Sequence, residues 1–231
     1  MPASIIFILT SQSALGTSGQ KTGTWLEELA APYYRFVDAG HSVQLASVAG
    51  GEAPLDPASL EAPWVTEQGA RFRADPAALA ALSHTARLSS IDPTEFAAFY
   101  LVGGAGAAWD FPVDADVRRI VEAISRQGGV ASGVCHGVLG LTSALDEGGA
   151  PLIAGKQVTG VSNKEEELTG FDKLVPVLPE SRLVELGGQY SAAAEPFGAH
   201  VVRDGWLVTG QNPASAALVA DTVLDLLANT D

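Results

Sequence analysis

Gly133-Val134-Cys135-His136-Gly137 has the form G-x-C-x-G, a nucleophile elbow with sulfur in place of the more familiar hydroxyl. An elbow carries its nucleophile on a strained strand-to-helix bend, and small residues two places to either side leave room for that backbone. Gly133 and Gly137 supply the room. Unpaired N–H groups of a helix starting just beyond the sulfur favour thiolate over thiol, so the pattern predicts an exposed, activated Cys135 with His136 beside it. A lone cysteine after an apolar strand is ordinarily a small buried hydrophobe. The two glycines, the histidine and the strand-to-helix position point instead to nucleophilic or redox chemistry.

A nucleophile of this kind needs a site for developing negative charge, and Gly103-Gly104-Ala105-Gly106 can present backbone N–H groups at the same sheet edge. As a dinucleotide fingerprint this turn fails, because Trp109 stands where the third glycine belongs, and no Gly-Lys-Ser/Thr follows to make a phosphate loop. His41 and His84 read as solvated side chains and His200 as structural. No histidine-carboxylate spacing suits a metal, so neither metal nor cofactor is expected.

Elements able to position these residues follow from hydrophobic pattern. Ser4 to Thr10 is almost continuously apolar and β-branched, as a strand buried on both faces should be. Helical spacing from Trp25 to Ala39, with Glu27 and Glu28 in the first turn and Pro32 inside, precedes a strand at Ser42 to Val48. Gly50 to Asp75 is rich in Pro, Gly and acids and reads as an irregular insertion with short helical turns. A short Ala/Leu helix from Pro76, a strand from Phe96 to Val102, a helix from Asp114 to Gln127, a strand from Val130 to Val134 and a helix from His136 to Leu145 come next. Strand candidates at Leu152 to Ser162 and Ala199 to Thr209, the latter split by the Asp204-Gly205 turn, lead to a closing helix from Pro213 to Ala228. This alternation predicts an α/β chain with a mostly parallel sheet covered on both sides.

Composition narrows the partners. The 231 residues are 47% hydrophobic and 17% charged, enough for one domain over 1–231 with the insertion at about 50–75. A formal charge of -14 repels a nucleic-acid backbone. The single cysteine excludes an internal disulfide framework, and no basic leader or apolar run of spanning length is present, so a cytoplasmic protein without membrane or nucleic-acid partners is expected.

Thr22-Gly23-x-Trp25-x-Glu27-Glu28 with Pro32-Tyr33, Gly103-Gly104-x-Gly106 with Trp109-Asp110, the elbow, Thr159-Gly160 with Glu165-Glu166-Glu167, and Thr209-Gly210-Gln211-Asn212-Pro213-Ala214-Ser215 occur in that order. Together they resemble the ThiJ/PfpI superfamily, which is similar to class I glutamine amidotransferases, and within it the branch of heat-shock chaperone-type glyoxalase III proteins. The resemblance implies a flavodoxin-like three-layer sandwich, Cys135 as nucleophile, His136 as its neighbour, Glu28 as an acid from the first helix and Glu166 as the acid that orients the histidine. It also implies a homodimer, for which Trp64 and Trp206 are candidate surface residues. Two departures stand out: Ala105 occupies a place where the branch commonly has histidine, and His200-Val201-Val202 is not the H-x-E motif of a glutaminase.

Three chemistries follow. The first is a cofactor-independent glyoxalase III-like lyase (a D-lactate dehydratase) acting on methylglyoxal or related 2-oxoaldehydes, with Cys135 forming a hemithioacetal, Glu28 moving protons and Gly103 and Gly104 near the oxyanion. The second is a redox-responsive stress chaperone or sensor using an oxidisable Cys135, and the third a cysteine hydrolase or deglycase.

Overall fold

Ser4–Leu9 is strand β1, with a parallel neighbour on each side, and its alternate side chains enter two separate cores: Ile5, Phe7 and Leu9 one, Ile6 and Ile8 the other. The computed structural model describes residues 2–229. After β1 come α1 (Leu26–Asp38), β2 (Ser42–Ser47), α2 (Glu67–Ala74), α3 (Pro76–Ser83), β3 (Ala86–Arg87), β4 (Ala98–Leu101), α4 (Ala107–Asp110), α5 (Ala115–Arg126) and β5 (Val130–Val134). The remainder carries β6 (Gln157–Val158), α6 (Asn163–Thr169), α7 (Pro179–Glu185), β7 (Gln189–Tyr190), β8 (Val201–Asp204), β9 (Leu207–Gly210) and α8 (Ala216–Ala228).

Seven of these strands form one sheet in the order β3-β2-β1-β4-β5-β9-β8, parallel except for the β8–β9 hairpin, and β6 pairs with β7 in a small separate sheet. Leu29 of α1 and Val219 and Val223 of α8 pack with Ile5 and Phe7 on one face. On the other face, Ile120 and Ile124 of α5 join Val138 and Leu139 against Ile6 and Ile8. The result is the three-layer α/β sandwich of flavodoxin-like form.

Register fixes where chemistry sits. Leu101 pairs with Gly133 and Val134 with Gly210, so β4, β5 and β9 end nearly level. Gly103-Gly104, Cys135 and Gln211-Asn212 therefore emerge side by side at the carboxyl ends of parallel strands, where open α/β sheets place ligands.

Two elements differ from the sequence expectation. The helix expected from His136 to Leu145 is a 3-10 turn over Cys135–Leu141. Gly137 and Gly140 weaken an α-helix, and both serve close approach to β4: a Cβ on Gly137 would overlap the Leu101 carbonyl, and one on Gly140 would lie 2.8 Å from Leu101 Cδ2. The strand expected over Leu152 to Ser162 shrinks to Gln157–Val158. Its first half folds back on itself through Ala154 N–H to Pro151 O at 2.9 Å and Lys156 N–H to Ile153 O at 3.0 Å, which buries Ile153 completely.

Residues 50–75 are ordered by their own caps. Asp56 accepts from Ala58 N at the start of a 3-10 turn over Pro57–Leu60, and Thr66 accepts from Gly69 N at the start of α2. Arg71 of α2 lies 3.7 Å from the Tyr34 ring centre and forks onto both Asp38 oxygens at 2.6 and 2.8 Å, docking α2 against α1. That docking matters for the pocket, because Asp56 and Trp64 lie on this segment.

Candidate active site

Cys135 has φ 55, a left-handed conformation that a non-glycine residue adopts at a cost of about 1–2 kcal/mol. The strain is held by what surrounds it: β5 enters from a fully paired sheet, and Gly137 allows the chain to leave directly over the backbone of Leu101. Gly103 is required for a related reason, since a Cβ there would overlap the Glu28 carboxyl and approach the Cys135 Cβ to 2.9 Å. The two Gly-rich motifs are thus halves of one close contact.

His136 Nδ1 lies 3.4 Å from the Cys135 sulfur, and on the far side of the ring Nε2 lies 3.3 Å from Glu166 Oε1. The latter is an ion-pair distance without hydrogen-bond alignment, and Glu166 Oε2 has no partner. Cysteine, histidine and glutamate therefore form a chain of the triad type, with the acid closing on the nitrogen remote from sulfur.

Glu28 approaches the sulfur from another direction, on the first turn of α1. Trp25 N–H donates to Gly103 O at 3.0 Å and Leu26 N–H to Ser59 Oγ at 3.1 Å, so tertiary partners rather than a side-chain cap start this helix and aim it at the elbow. Pro32 lacks the N–H that would bond the Glu28 carbonyl, leaving the helix locally open beneath the carboxyl. The carboxyl is completely buried and contacts the Cys135 thiol loosely; neither oxygen makes a hydrogen bond of regular geometry. Burial first, with the thiol contact opposing and the neighbouring acids adding, pushes its pKa up to about 8. Glu28 is then a carboxylic acid at neutral pH.

Sulfur behaves differently from the sequence expectation of an exposed thiolate. Cys135 is only 8% exposed. Burial, followed by the carboxyl groups of Glu28 and Glu166, pushes its thiol well up, and these outweigh the backbone N–H of His136, which acts in the expected direction. The resting group is a thiol whose proton must go to His136 as the sulfur attacks.

Three consecutive glutamates suggest a solvated face, yet Glu165 and Glu166 are both 1% exposed. Glu165 receives Ser162 N at 2.9 Å, Ser162 Oγ at 2.8 Å and Gln211 Nε2 at 2.8 Å on one oxygen, and Phe197 N at 2.9 Å and Asn212 Nδ2 at 2.8 Å on the other. This carboxylate fastens α6, the end of β9 and the Phe197 loop together, and so holds Glu166 in place. Sequence reading missed its role; the one available signal was Ser162 three residues ahead, a capping-box spacing.

These groups open into a cavity of about 100 Å³. Trp25, Trp64, Phe171 and Phe197 provide apolar walls, Gly104 and Ala105 border it, and Asp56 reaches in from the 50–75 segment. Gly104 has φ 115 and packs directly on the backbone of residues 23–25. The Gly103 carbonyl accepts from Trp25 N–H at 3.0 Å, which fixes the turn against the start of α1. Trp64, a candidate surface residue, is 47% exposed, and its ring also packs edge-on against Trp25 at 5.7 Å and lines this cavity, while Trp206 is partly buried against the core. His200 bonds to Ser191 at 2.9 Å and does not line it. Among the described residues no cluster of three or more His, Cys, Asp or Glu side chains suits a metal ion.

Comparison with known proteins places this geometry. The DJ-1/PfpI family model matches residues 21–226. "Glutathione-independent glyoxalase HSP31" of Saccharomyces cerevisiae is 30% identical, covering 99% of each chain. The crystal structure of glyoxalase III from Candida albicans superposes with a TM-score of 0.87 at 27% identity, covering 96% of each chain. Rapid Encystment Protein 24 KDa of Francisella tularensis gives a TM-score of 0.93 at 35% identity, covering 98% of this chain and 99% of its own.

Proposed function

The chain belongs to the DJ-1/PfpI family, and from that premise we propose that it is a glutathione-independent glyoxalase, converting methylglyoxal or a related 2-oxoaldehyde to the 2-hydroxy acid. The observation carrying this reading is the meeting, at one small cavity, of a thiol, a histidine touching it, and a neutral carboxylic acid on its other side.

Each group has a task. As sulfur attacks the aldehyde carbon C1, His136 takes the thiol proton and Glu28 gives its proton to the C1 oxygen, completing the hemithioacetal. Glu28, now a carboxylate, removes the C1 hydrogen; the electron pair forms the C1–C2 double bond while His136 protonates the C2 oxygen. Glu28 then returns the hydrogen to C2 and His136 takes the C1 hydroxyl proton, leaving a 2-hydroxy thioester on Cys135. Water, deprotonated by the Glu28 carboxylate, displaces the sulfur, which takes the proton held on the His136 ring, so all three groups return to their starting state. The sum is one 2-oxoaldehyde plus one water to one 2-hydroxy acid. Glu166 touches no reacting atom in this scheme and acts as a positioning residue, and turn amides near Gly104 face the C1 oxygen.

The reading extends to a homodimer in the cytoplasm acting on a small carbonyl compound without cofactor. Its support is the full-length likeness to glyoxalases and the sequence composition; among the described residues, no helix is long and apolar enough to cross a membrane. The sensor reading presupposes an exposed, ionised thiol, and the buried Cys135 gives it no specific support.

The test is direct: purified protein with methylglyoxal and no glutathione should accumulate lactate, and absence of lactate would remove the proposal. In the same assay Glu166→Gln should lower kcat about a hundredfold with KM little changed, because without its carboxylate the imidazole is less well held toward the sulfur. An unchanged kcat would detach Glu166 from the chemistry.

A further inference from the structure

The cavity is charged on one side of the ledger only. Its titratable lining consists of Glu28, Asp56, Cys135, His136, Glu165 and Glu166, and no Lys or Arg is among its lining residues. His136 brings at most one positive charge against three acids other than the neutral Glu28. All four carboxyls are nearly or completely buried, so water screens them little. Nearby Lys164 is exposed and engaged with Glu167 at 3.2 Å. Glu28 and Glu166 retain oxygens without a hydrogen-bond partner, and no fixed cation stands ready for an incoming anion.

We propose that this pocket selects by charge: uncharged short carbonyl compounds reach Cys135, carboxylated or phosphorylated ones are turned away, and Asp56 is a specificity-determining residue. Asp56 is placed for this role and for no step of the chemistry. Its oxygens accept from Thr22 Oγ1 and Ala58 N, both at 2.9 Å, and it reaches the cavity from the 50–75 segment rather than from the elbow. Resting on the glyoxalase reading, a second consequence follows. The substrate enters neutral and the product leaves as a carboxylate, so hydrolysis of the thioester creates a charge that the pocket repels, and product departs rather than inhibits.

Alkylation of Cys135 tests the charge selection without requiring turnover. Iodoacetamide and iodoacetate are nearly the same size and differ by one negative charge; each forms an S–C bond with loss of iodide. The amide-to-acetate rate ratio is measured on the whole protein and on an uncharged small thiol at the same pH. The protein's ratio should exceed the small thiol's by at least about tenfold, a difference of ~1.4 kcal/mol. In Asp56→Asn, where the amide oxygen still accepts from Ala58 N, the excess should fall about threefold or more, while the exposed Glu147→Gln leaves it unchanged. In 1 M salt most of the excess should survive, because the charges are buried. A ratio equal to that of the small thiol, equal effects of the two substitutions, or loss of the excess in salt would each overturn the proposal. Since no outcome depends on lactate formation, failure here and failure of the glyoxalase reading are separate results.

Discussion

Cys135→Ala is expected to leave a folded protein whose lactate formation from methylglyoxal is lost by about 10⁴-fold or more. The size follows from the scheme: each intermediate is bonded to the sulfur, and the C1 hydrogen is acidified only after C1 has become a hemithioacetal held against Glu28. Cys135→Ser keeps a nucleophile of similar shape but should recover little, because a hydroxyl gives up its proton far less readily to a histidine 3.4 Å from the native sulfur. Turnover surviving in the alanine variant would overturn the covalent route. A stability comparison separates chemistry from folding at the same position. With φ 55 at residue 135, the glycine variant should unfold at a higher urea midpoint than the alanine variant, by about 1 kcal/mol, since glycine alone adopts that conformation without a Cβ penalty.

What could be read in the sequence, and what could not, divides along physical lines. Strands such as Ser4–Leu9 and the Val201–Asp204/Leu207–Gly210 hairpin were legible because burial on two faces and a turn dipeptide leave local patterns. The elbow was legible because a left-handed cysteine needs glycine neighbours wherever it occurs. Glu28 and Glu166 came from motif resemblance, and their meeting around Cys135 and His136 is a tertiary fact no spacing contains. The protonation state of the thiol was misjudged because a helix-start argument counts only the local N–H groups, whereas burial and two carboxyls from distant segments decide the outcome. The place of Asp56 and Trp64 at the pocket went unread for a similar reason: an irregular stretch rich in Pro and Gly gives no periodicity, yet Arg71 docks it firmly beside the pocket.

Glu28→Gln is expected to reduce turnover by about 10³-fold and, in the opposite direction, to make the protein more stable at alkaline pH. Glutamine keeps the shape and still donates a hydrogen bond toward the sulfur or the C1 oxygen, but it can neither give a proton to that oxygen nor take one from C1, so hemithioacetal formation is slowed and transfer between C1 and C2 stops. The stability effect follows from linkage. Unfolded Glu28 ionises near its ordinary value of 4.5, whereas in the fold burial holds the proton until about pH 8. Between those limits the folded protein binds the extra proton, so raising the pH favours the unfolded chain; the contribution present below 4.5 is lost progressively and is gone above about 8. The difference amounts to about 5 kcal/mol. Wild type and Glu28→Gln should thus have similar urea midpoints near pH 4 and diverge toward pH 9, with the variant the more stable. The wild-type kcat/KM should decline above about pH 8, where the free enzyme no longer carries the proton it must deliver, and the variant's residual rate should lack that limb. Parallel stability curves for the two proteins would mean that Glu28 is ionised in the fold, and the acid role assigned to it would fall. Divergence with activity intact would instead leave a buried acid that costs stability above neutrality and performs no chemistry, which is the outcome least compatible with its placement against the sulfur.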